Sequence, residues 1–181
     1  MLLRRFEKQL DVDMEKRASD SGFLKFTGYD IVFQEVPGEV SLALNLSRCP
    51  FRCPACHSPY LREDVGEVLD EKSLSALLEK YGRTVTCVCF MGGDAEPEAV
   101  ARLAAFVHRD YPGLKTAWYS GRESFPRDFR KEDFDYVKIG PYREALGGLR
   151  SPATNQRFYK MEEGRMEDIT SVFWKKPFED F

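Results

Sequence analysis

Ser41-Leu42-Ala43-Leu44-Asn45-Leu46-Ser47 passes directly into Arg48-Cys49-Pro50-Phe51-Arg52-Cys53-Pro54-Ala55-Cys56-His57. In the first segment Leu42, Leu44 and Leu46 share one face of an extended chain, and Ala43, Asn45 and Ser47 share the other. The pattern predicts a strand with its leucines against covering helices and its small or polar groups lining a cavity. Where that strand ends, a C-x3-C-x2-C run begins. Three thiolates so close cannot all pair with one another as disulfides, but one loop carrying them can wrap a single metal centre. Three ligands leave one position of a four-iron cluster open, and an open iron can bind a substrate or cofactor. Cys49, Cys53 and Cys56 are therefore the candidate metal-ligating and catalytic residues.

Outward from this run, strand and helix patterns alternate. Ile31 to Val36 reads as a short strand closed by Pro37-Gly38. The stretch from Cys49 to about Leu69 is long for a loop in a compact domain and needs an anchor or a function, and a metal centre supplies both. Asp70 is placed to cap a helix with Leu74, Leu77, Leu78 and Tyr81 as its stripe and Gly82 beyond it. Thr84 to Met91 is β-branched and apolar, as in a buried parallel strand. Pro97 opens a second helix with Val100, Leu103, Ala104, Val107 and Tyr111 as its stripe, closed by Pro112-Gly113. Leu114 to Tyr119 and Phe134 to Ile139 are further strands. The alternation predicts βαβ units and a parallel sheet. Cys49 to Cys56, Gly92-Gly93-Asp94, Ser120-Gly121-Arg122 and Gly140-Pro141 each follow a strand. In parallel α/β architectures sites gather at the carboxyl ends of strands, so four loops converge on one edge. Arg157 to Met161 and Met166 to Thr170 predict a β-hairpin, followed by an aromatic and basic tail packed back on the core.

The chain has 181 residues, 43% hydrophobic, with a formal net charge of -3 and a pI near 5.6. That suits one soluble α/β domain with its own core. A mildly acidic balance carries no nucleic-acid signal. No apolar run reaches the length of a membrane span, and the N-terminus lacks a signal-peptide h-region. Five cysteines, an odd number in two clusters, do not look like a secreted disulfide framework, so the expectation is a cytoplasmic protein with reduced thiols. In residues 1 to about 20, Leu3, Phe6, Leu10 and Met14 recur at near-helical spacing among charges, as in an amphipathic surface helix or a frayed extension rather than a partner-binding arm.

With these segments in view the chain resembles the radical SAM superfamily, and within it the activating proteins of anaerobic (class III) ribonucleoside-triphosphate reductase. The carrying segments are Val32-Phe33-Gln34-Glu35-Val36-Pro37, Cys53-Pro54-Ala55-Cys56-His57-Ser58, Phe90-Met91-Gly92-Gly93-Asp94 and Trp118-Tyr119-Ser120-Gly121-Arg122. To them are added Val137-Lys138-Ile139-Gly140-Pro141-Tyr142, Gly147-Gly148-Leu149-Arg150-Ser151-Pro152 and Thr154-Asn155-Gln156-Arg157. They span about residues 28 to 175. The cysteine spacing is specific to the superfamily, and Asn155-Gln156-Arg157 after the Gly147-Gly148 turn points to the activase branch.

The resemblance implies an α/β fold: a partial (β/α) barrel of the radical SAM type around a parallel sheet, with the C-terminal β-hairpin added. It divides the chain into an N-terminal extension, residues 1–22, and a single radical SAM domain, residues 23–181. It implies a 4Fe-4S cluster on Cys49, Cys53 and Cys56, with S-adenosyl-L-methionine (SAM) chelating the fourth iron. Gly92 and Gly93 let backbone approach the methionine moiety, Asp94 meets its ammonium, and Ser120 contacts the ribose. Where this chain has Asp94 the superfamily more often has Glu, and Glu96 lies close enough to share the role. Where many members carry an aromatic before the third cysteine, this chain has Ala55. The implied activity is reductive cleavage of SAM and formation of a glycyl radical. The implied partners are the large glycyl radical subunit of anaerobic ribonucleotide reductase and a flavodoxin or ferredoxin as electron donor.

Other readings of the same residues stand beside this one. A radical SAM enzyme acting on a small molecule, as 7-carboxy-7-deazaguanine synthases do, predicts an enclosed pocket. An activase of another glycyl radical enzyme differs only in its partner. A non-enzymatic iron–sulfur carrier, or a zinc module with His57 as fourth ligand, predicts bound metal without SAM cleavage. Zinc sites usually assemble from two separated pairs, which this sequence lacks. Cys87 and Cys89 read as buried core thiols. His108 sits on a charged helix face with no chemical role. Arg150 and Arg157 read as ion-pair partners, or as ligands for a carboxylate in an open cleft.

Overall fold

The structure is a computed structural model and describes residues 22–174. The predicted N-terminal amphipathic stripe and the tail beyond Trp174 lie outside the described residues. Eight strands form one sheet: β1 (Leu24–Val32), β2 (Ser41–Leu46), β3 (Glu67–Leu69), β4 (Cys87–Met91), β5 (Lys115–Tyr119), β6 (Tyr136–Ile139), β7 (Arg157–Glu162) and β8 (Arg165–Asp168). Their order across the sheet is β3-β1-β2-β4-β5-β6-β7-β8. Two α-helices are found among the described residues, α1 (Glu71–Tyr81) and α2 (Pro97–Asp110).

The parallel core was legible. β2, β4, β5 and β6 are parallel neighbours, with Asn45 opposite Met91, Met91 opposite Tyr119 and Tyr119 opposite Lys138. Their carboxyl ends therefore lie side by side on one edge. The partial (β/α) barrel is not what forms. The sheet is mixed and open: β1 runs antiparallel to β2, β3 to β1, β7 to β6 and β8 to β7. The physical reason lies in the connections. Only β2-to-β4 and β4-to-β5 are crossed by an α-helix, whereas residues 120–135 join β5 to β6 with a single 3-10 turn at Lys131–Asp133. After β6 the chain turns back through residues 140–156 and pairs antiparallel, so no further parallel unit adds curvature toward closure. The predicted hairpin is present but extends the sheet rather than standing beside it, with Glu163 (φ 49) and Gly164 (φ 72) in its turn.

The two faces of the sheet divide as the alternation in β2 required. Leu42, Leu44 and Leu46 join Val88, Phe90, Trp118 and Val137 in one cluster with Leu74 and Leu78 of α1 and Val100, Leu103 and Val107 of α2. Ala43, Cys87, Cys89, Ala117, Tyr136 and Phe158 form a second cluster on the opposite face, closed by Val36, Leu149, Ile169 and Phe173. Phe173 packs edge-on against Phe158 at 5.1 Å, so the described start of the aromatic tail returns to the core. Asp70 caps α1 as predicted: the Ser73 amide donates to Asp70 Oδ1 at 2.8 Å, and Ser73 Oγ accepts from the Asp70 amide at 2.9 Å.

Two local expectations fail. The first strand lies earlier than Ile31–Val36, because Phe33 to Pro37 leaves the sheet and tucks Val36 beneath its second face. The long cysteine loop has a main-chain anchor that does not need a metal. The Cys49 amide donates to the Leu61 carbonyl at 2.8 Å and the Arg48 amide to Glu63 at 3.1 Å. Ser47 Oγ donates to the Val65 carbonyl at 2.6 Å, and Glu67–Leu69 then pairs with β1.

Candidate functional site

The four loops predicted to converge do so on one cavity of about 620 Å³, a volume in the range of small-molecule sites. Its wall carries Cys49, Cys53 and Cys56 after β2, Gly92 and Asp94 after β4, Ser120 and Gly121 after β5, and Lys138 with Tyr142 from β6 and its turn. Gly93 is buried just behind, and Asn45 faces the cavity from the polar side of β2, as its place in the alternation predicted.

The cysteines sit on a constrained backbone. Arg48 and Ala55, neither of them glycine, adopt left-handed φ values of 61° and 54°. Such positions cost about 1–3 kcal/mol each and persist where surroundings hold them. Around Arg48 those surroundings are visible: its guanidinium donates to the Phe23 carbonyl at 3.0 Å and pairs with Glu96 at 3.3 Å. Glu96, a candidate to share the role of Asp94, is thus engaged with Arg48. Arg62 Nη2 donates to the Cys53 carbonyl at 3.0 Å. All five cysteines are free thiols. Burial pushes the Cys49 thiol up, and the negative charges of Asp94, Cys53 and Cys56 nearby push it the same way. Among the described residues no three ligating side chains stand close enough to hold a metal ion as they are. The three thiols share one cavity wall with room for a cluster, and a soft thiolate set suits iron–sulfur ligation, so the donor set fits the implied group.

Gly92 (φ 103) and Gly93 (φ 81) are both left-handed, and a Cβ on Gly93 would lie 2.5 Å from Val100 Cγ2 and 2.8 Å from Leu46 Cδ1. The turn is held from below by Trp118, whose Nε1 donates to the Gly92 carbonyl at 2.7 Å. Asp94 is buried and densely bonded. Ser120 Oγ donates to its Oδ1 at 2.5 Å, the Gly121 amide to Oδ2 at 3.0 Å, and Arg122 Nη2 to its main-chain carbonyl at 2.7 Å. Burial raises the Asp94 carboxyl, opposed by those hydrogen bonds and by the charges of Arg122 and Lys138. Asp94 and Ser120, predicted to touch different parts of one ligand, are thus bonded to each other.

Sequence reasoning missed three contributors. Lys138 is 8% exposed, and its ammonium donates to the carbonyls of Ser120 at 3.2 Å and Gly140 at 2.5 Å. Burial pulls it down to about 8, against the pull of Asp94 and Cys53. The signal was a lone lysine in an apolar strand, on the face opposite Val137 and Ile139. Arg48 and Arg62 left no comparable signal. His108 has more to do than its charged helix face suggested: Nε2 lies 2.9 Å from Asp135 Oδ2 and 3.1 Å from Thr116 Oγ1, fastening α2 to the sheet. Cys87 and Cys89 are buried core thiols as expected, and burial pushes Cys87 up to about 12.

Arg150 and Arg157 do not reach the cysteine cavity. Arg150 donates to Gln34, and Arg157 pairs with Asp168 at 3.6 Å. The Asn155-Gln156 segment instead buttresses the Gly140-Pro141 turn, Asn155 Nδ2 donating to the Pro141 carbonyl at 2.9 Å. His57 faces the cysteine cavity beside Ser58. A second cavity of about 450 Å³, between α2 and residues 122–134, contains none of the cysteines and shares only Arg122 with the network around Asp94. No helix among the described residues is long and apolar enough to cross a membrane. Comparison with known protein families, curated proteins and solved structures gives no match for this chain.

Proposed function

We propose that the protein is a radical SAM activase of anaerobic ribonucleoside-triphosphate reductase, acting in the cytoplasm on the large glycyl radical subunit with a flavodoxin or ferredoxin as electron donor. The observation that carries the reading is the meeting of Cys49, Cys53 and Cys56 with the Gly92-Gly93-Asp94 turn on one cavity at the carboxyl ends of parallel strands. Cys49, Cys53 and Cys56 would hold a 4Fe-4S cluster, which would supply the one-electron reduction needed for reductive cleavage of SAM and, through it, hydrogen abstraction from the partner's glycine.

The chain's own residues do the rest. Cys49, Cys53 and Cys56 would hold the cluster. Gly92 presents main chain without a side chain to a ligand's amino-acid end, and Gly93 behind it lets the turn pack closely on Val100 and Leu46. Asp94 supplies negative charge beside it, and its bonds to Ser120 and Gly121 fix the carboxylate in place before a ligand arrives. Lys138 supplies the opposite charge in the same cavity.

The reading is tested by anaerobic reconstitution with iron and sulfide. About four iron and four sulfide per chain are expected, with loss of most of the iron in Cys53→Ala. Tightly bound zinc with no sulfide-dependent iron uptake would overturn it.

A further inference from the structure

Arg62 occupies a singular place on the cysteine loop. It ends the Pro59–Arg62 turn, whose flanking carbonyls, Leu61 and Glu63, accept the amides of Cys49 and Arg48. Its position is therefore fixed by main-chain bonds on both sides. From there Nη2 reaches back to the Cys53 carbonyl at 3.0 Å. Its Nε is buried and has no hydrogen-bond partner among the described residues. Arg62 and Cys49 are common to the walls of two cavities, the cysteine cavity and a smaller polar one on the outer side with Pro50, Arg52 and Glu63. No carboxylate lies within ion-pair distance of Arg62 among the described residues, although the molecule pairs many of its other arginines.

A guanidinium stays charged at any relevant pH. An unpaired positive charge with a spare donor beside three thiols favours whatever state of a bound centre carries more negative charge. Net charge, hydrogen bonds to sulfur and solvent exposure are the terms by which a protein sets a cluster's reduction potential.

Resting on the proposed cluster, we propose that Arg62 is a positioning residue for Cys53 and that its charge raises the reduction potential of the centre held by Cys49, Cys53 and Cys56. The ammonium of Lys138, which lines the same cavity, adds positive charge in the same sense. Arg62 acts through the loop, by its bond to the Cys53 carbonyl, and through its field.

The test uses the full chain, reconstituted anaerobically, with iron and sulfide counted first and the potential then read by spectroscopic redox titration. Arg62→Gln keeps a donor and removes the charge, whereas Arg62→Lys keeps the charge and removes the fork. With iron content equal to the parent, Arg62→Gln is expected to shift the potential at least about 59 mV more negative. For a one-electron couple that is a tenfold change in the reduced-to-oxidised ratio. Arg62→Lys is expected to recover most of the shift. If Arg62→Gln keeps the parent's unfolding midpoint but loads less iron, the positioning role is supported; the potential is then read on its iron-loaded fraction, where a shift to more negative values supports the charge effect and no shift from the parent overturns it. Full iron loading with the same potential in the parent and both Arg62 variants overturns the inference and leaves the proposed function standing. Failure of the unaltered protein to take up iron overturns both.

Discussion

Ser120 Oγ donates to Asp94 Oδ1 at 2.5 Å, so the turn that follows β4 is fastened to the turn that follows β5. The same hydroxyl accepts the Arg122 amide at 3.0 Å. One serine hydroxyl therefore ties two other loop residues, Asp94 and Arg122, together, and Asp94 is only 2% exposed, so a lost bond there is costly.

Ser120→Ala is expected to lower the unfolding free energy by about 1–3 kcal/mol, because it leaves a buried carboxylate oxygen short of its donor. Urea unfolding followed by circular dichroism reads this directly. A midpoint equal to the parent's would show that the Asp94–Ser120 bond does not hold the two turns together.

Gly93→Ala combines a left-handed φ of 81° with a Cβ pressed to 2.5 Å from Val100 Cγ2. Strain and overpacking together predict a loss of roughly 2–4 kcal/mol. Gly38 is the control, since its φ is also 81° but nothing lies within 4 Å of its Cβ position. Gly38→Ala is expected to cost about 1 kcal/mol, the backbone part alone. Equal losses in the two variants would mean that packing at Gly93 contributes nothing.

The pair His108–Asp135 makes stability depend on pH in two windows. The hydrogen bond to Asp135 raises His108 above its ordinary value. A raised histidine contributes stability that is fully present below its unfolded value, about 6.5, and is lost as pH rises through its folded value. Burial pulls Asp135 up, but the bonds from His108 and the Thr116 amide outweigh it and hold the carboxyl below its usual range. That contribution is present above about pH 4 and is lost as pH falls through the folded value. His108→Gln should therefore destabilise by about 1 kcal/mol at pH 5.5 and by clearly less at pH 8.5. Chemical unfolding at the two pH values checks this, and a pH-independent difference would refute the ion pair.

Lys138 works in the opposite sense. Burial lowers its folded value to about 8 from the model-compound value of 10.5. The unfolded chain then binds more protons between those two values, so stability rises with pH across that window. The full effect is at most roughly 3 kcal/mol. Lys138→Met should flatten the rise. An unchanged slope between pH 8 and 10 would show that Lys138 is not the titrating group.

The legible part of the fold was carried by periodicity and punctuation. Leu42, Leu44 and Leu46 announced which face the helices cover, and Pro97 and Asp70 marked where those helices begin. Because β4, β5 and β6 each end at a glycine turn or at Ser120-Gly121, the edge on which the candidate residues gather was legible too. Closure was not. Whether a sheet curls into a barrel depends on the number of helical crossovers, and the stretch from Ser120 to Asp135 holds apolar residues without helical period. The antiparallel return through Gly140 is set by long-range contact, a Cβ there lying 2.9 Å from Gln156 Cα, and no local pattern encodes that. Arg48 and Arg62 escaped for a similar reason. Their roles depend on which carbonyls the folded loop brings within reach, and a basic residue in a proline-rich loop has no distinguishing period.

The central claim is that three cysteines and the turn at Gly92 form one site for reductive cleavage of SAM. Its most direct test is to reduce the anaerobically reconstituted full chain, add SAM and quantify 5′-deoxyadenosine, with Cys53→Ala alongside. The account predicts 5′-deoxyadenosine from the unaltered protein and none above background from the variant. A protein that holds about four iron per chain and yields no 5′-deoxyadenosine would contradict it.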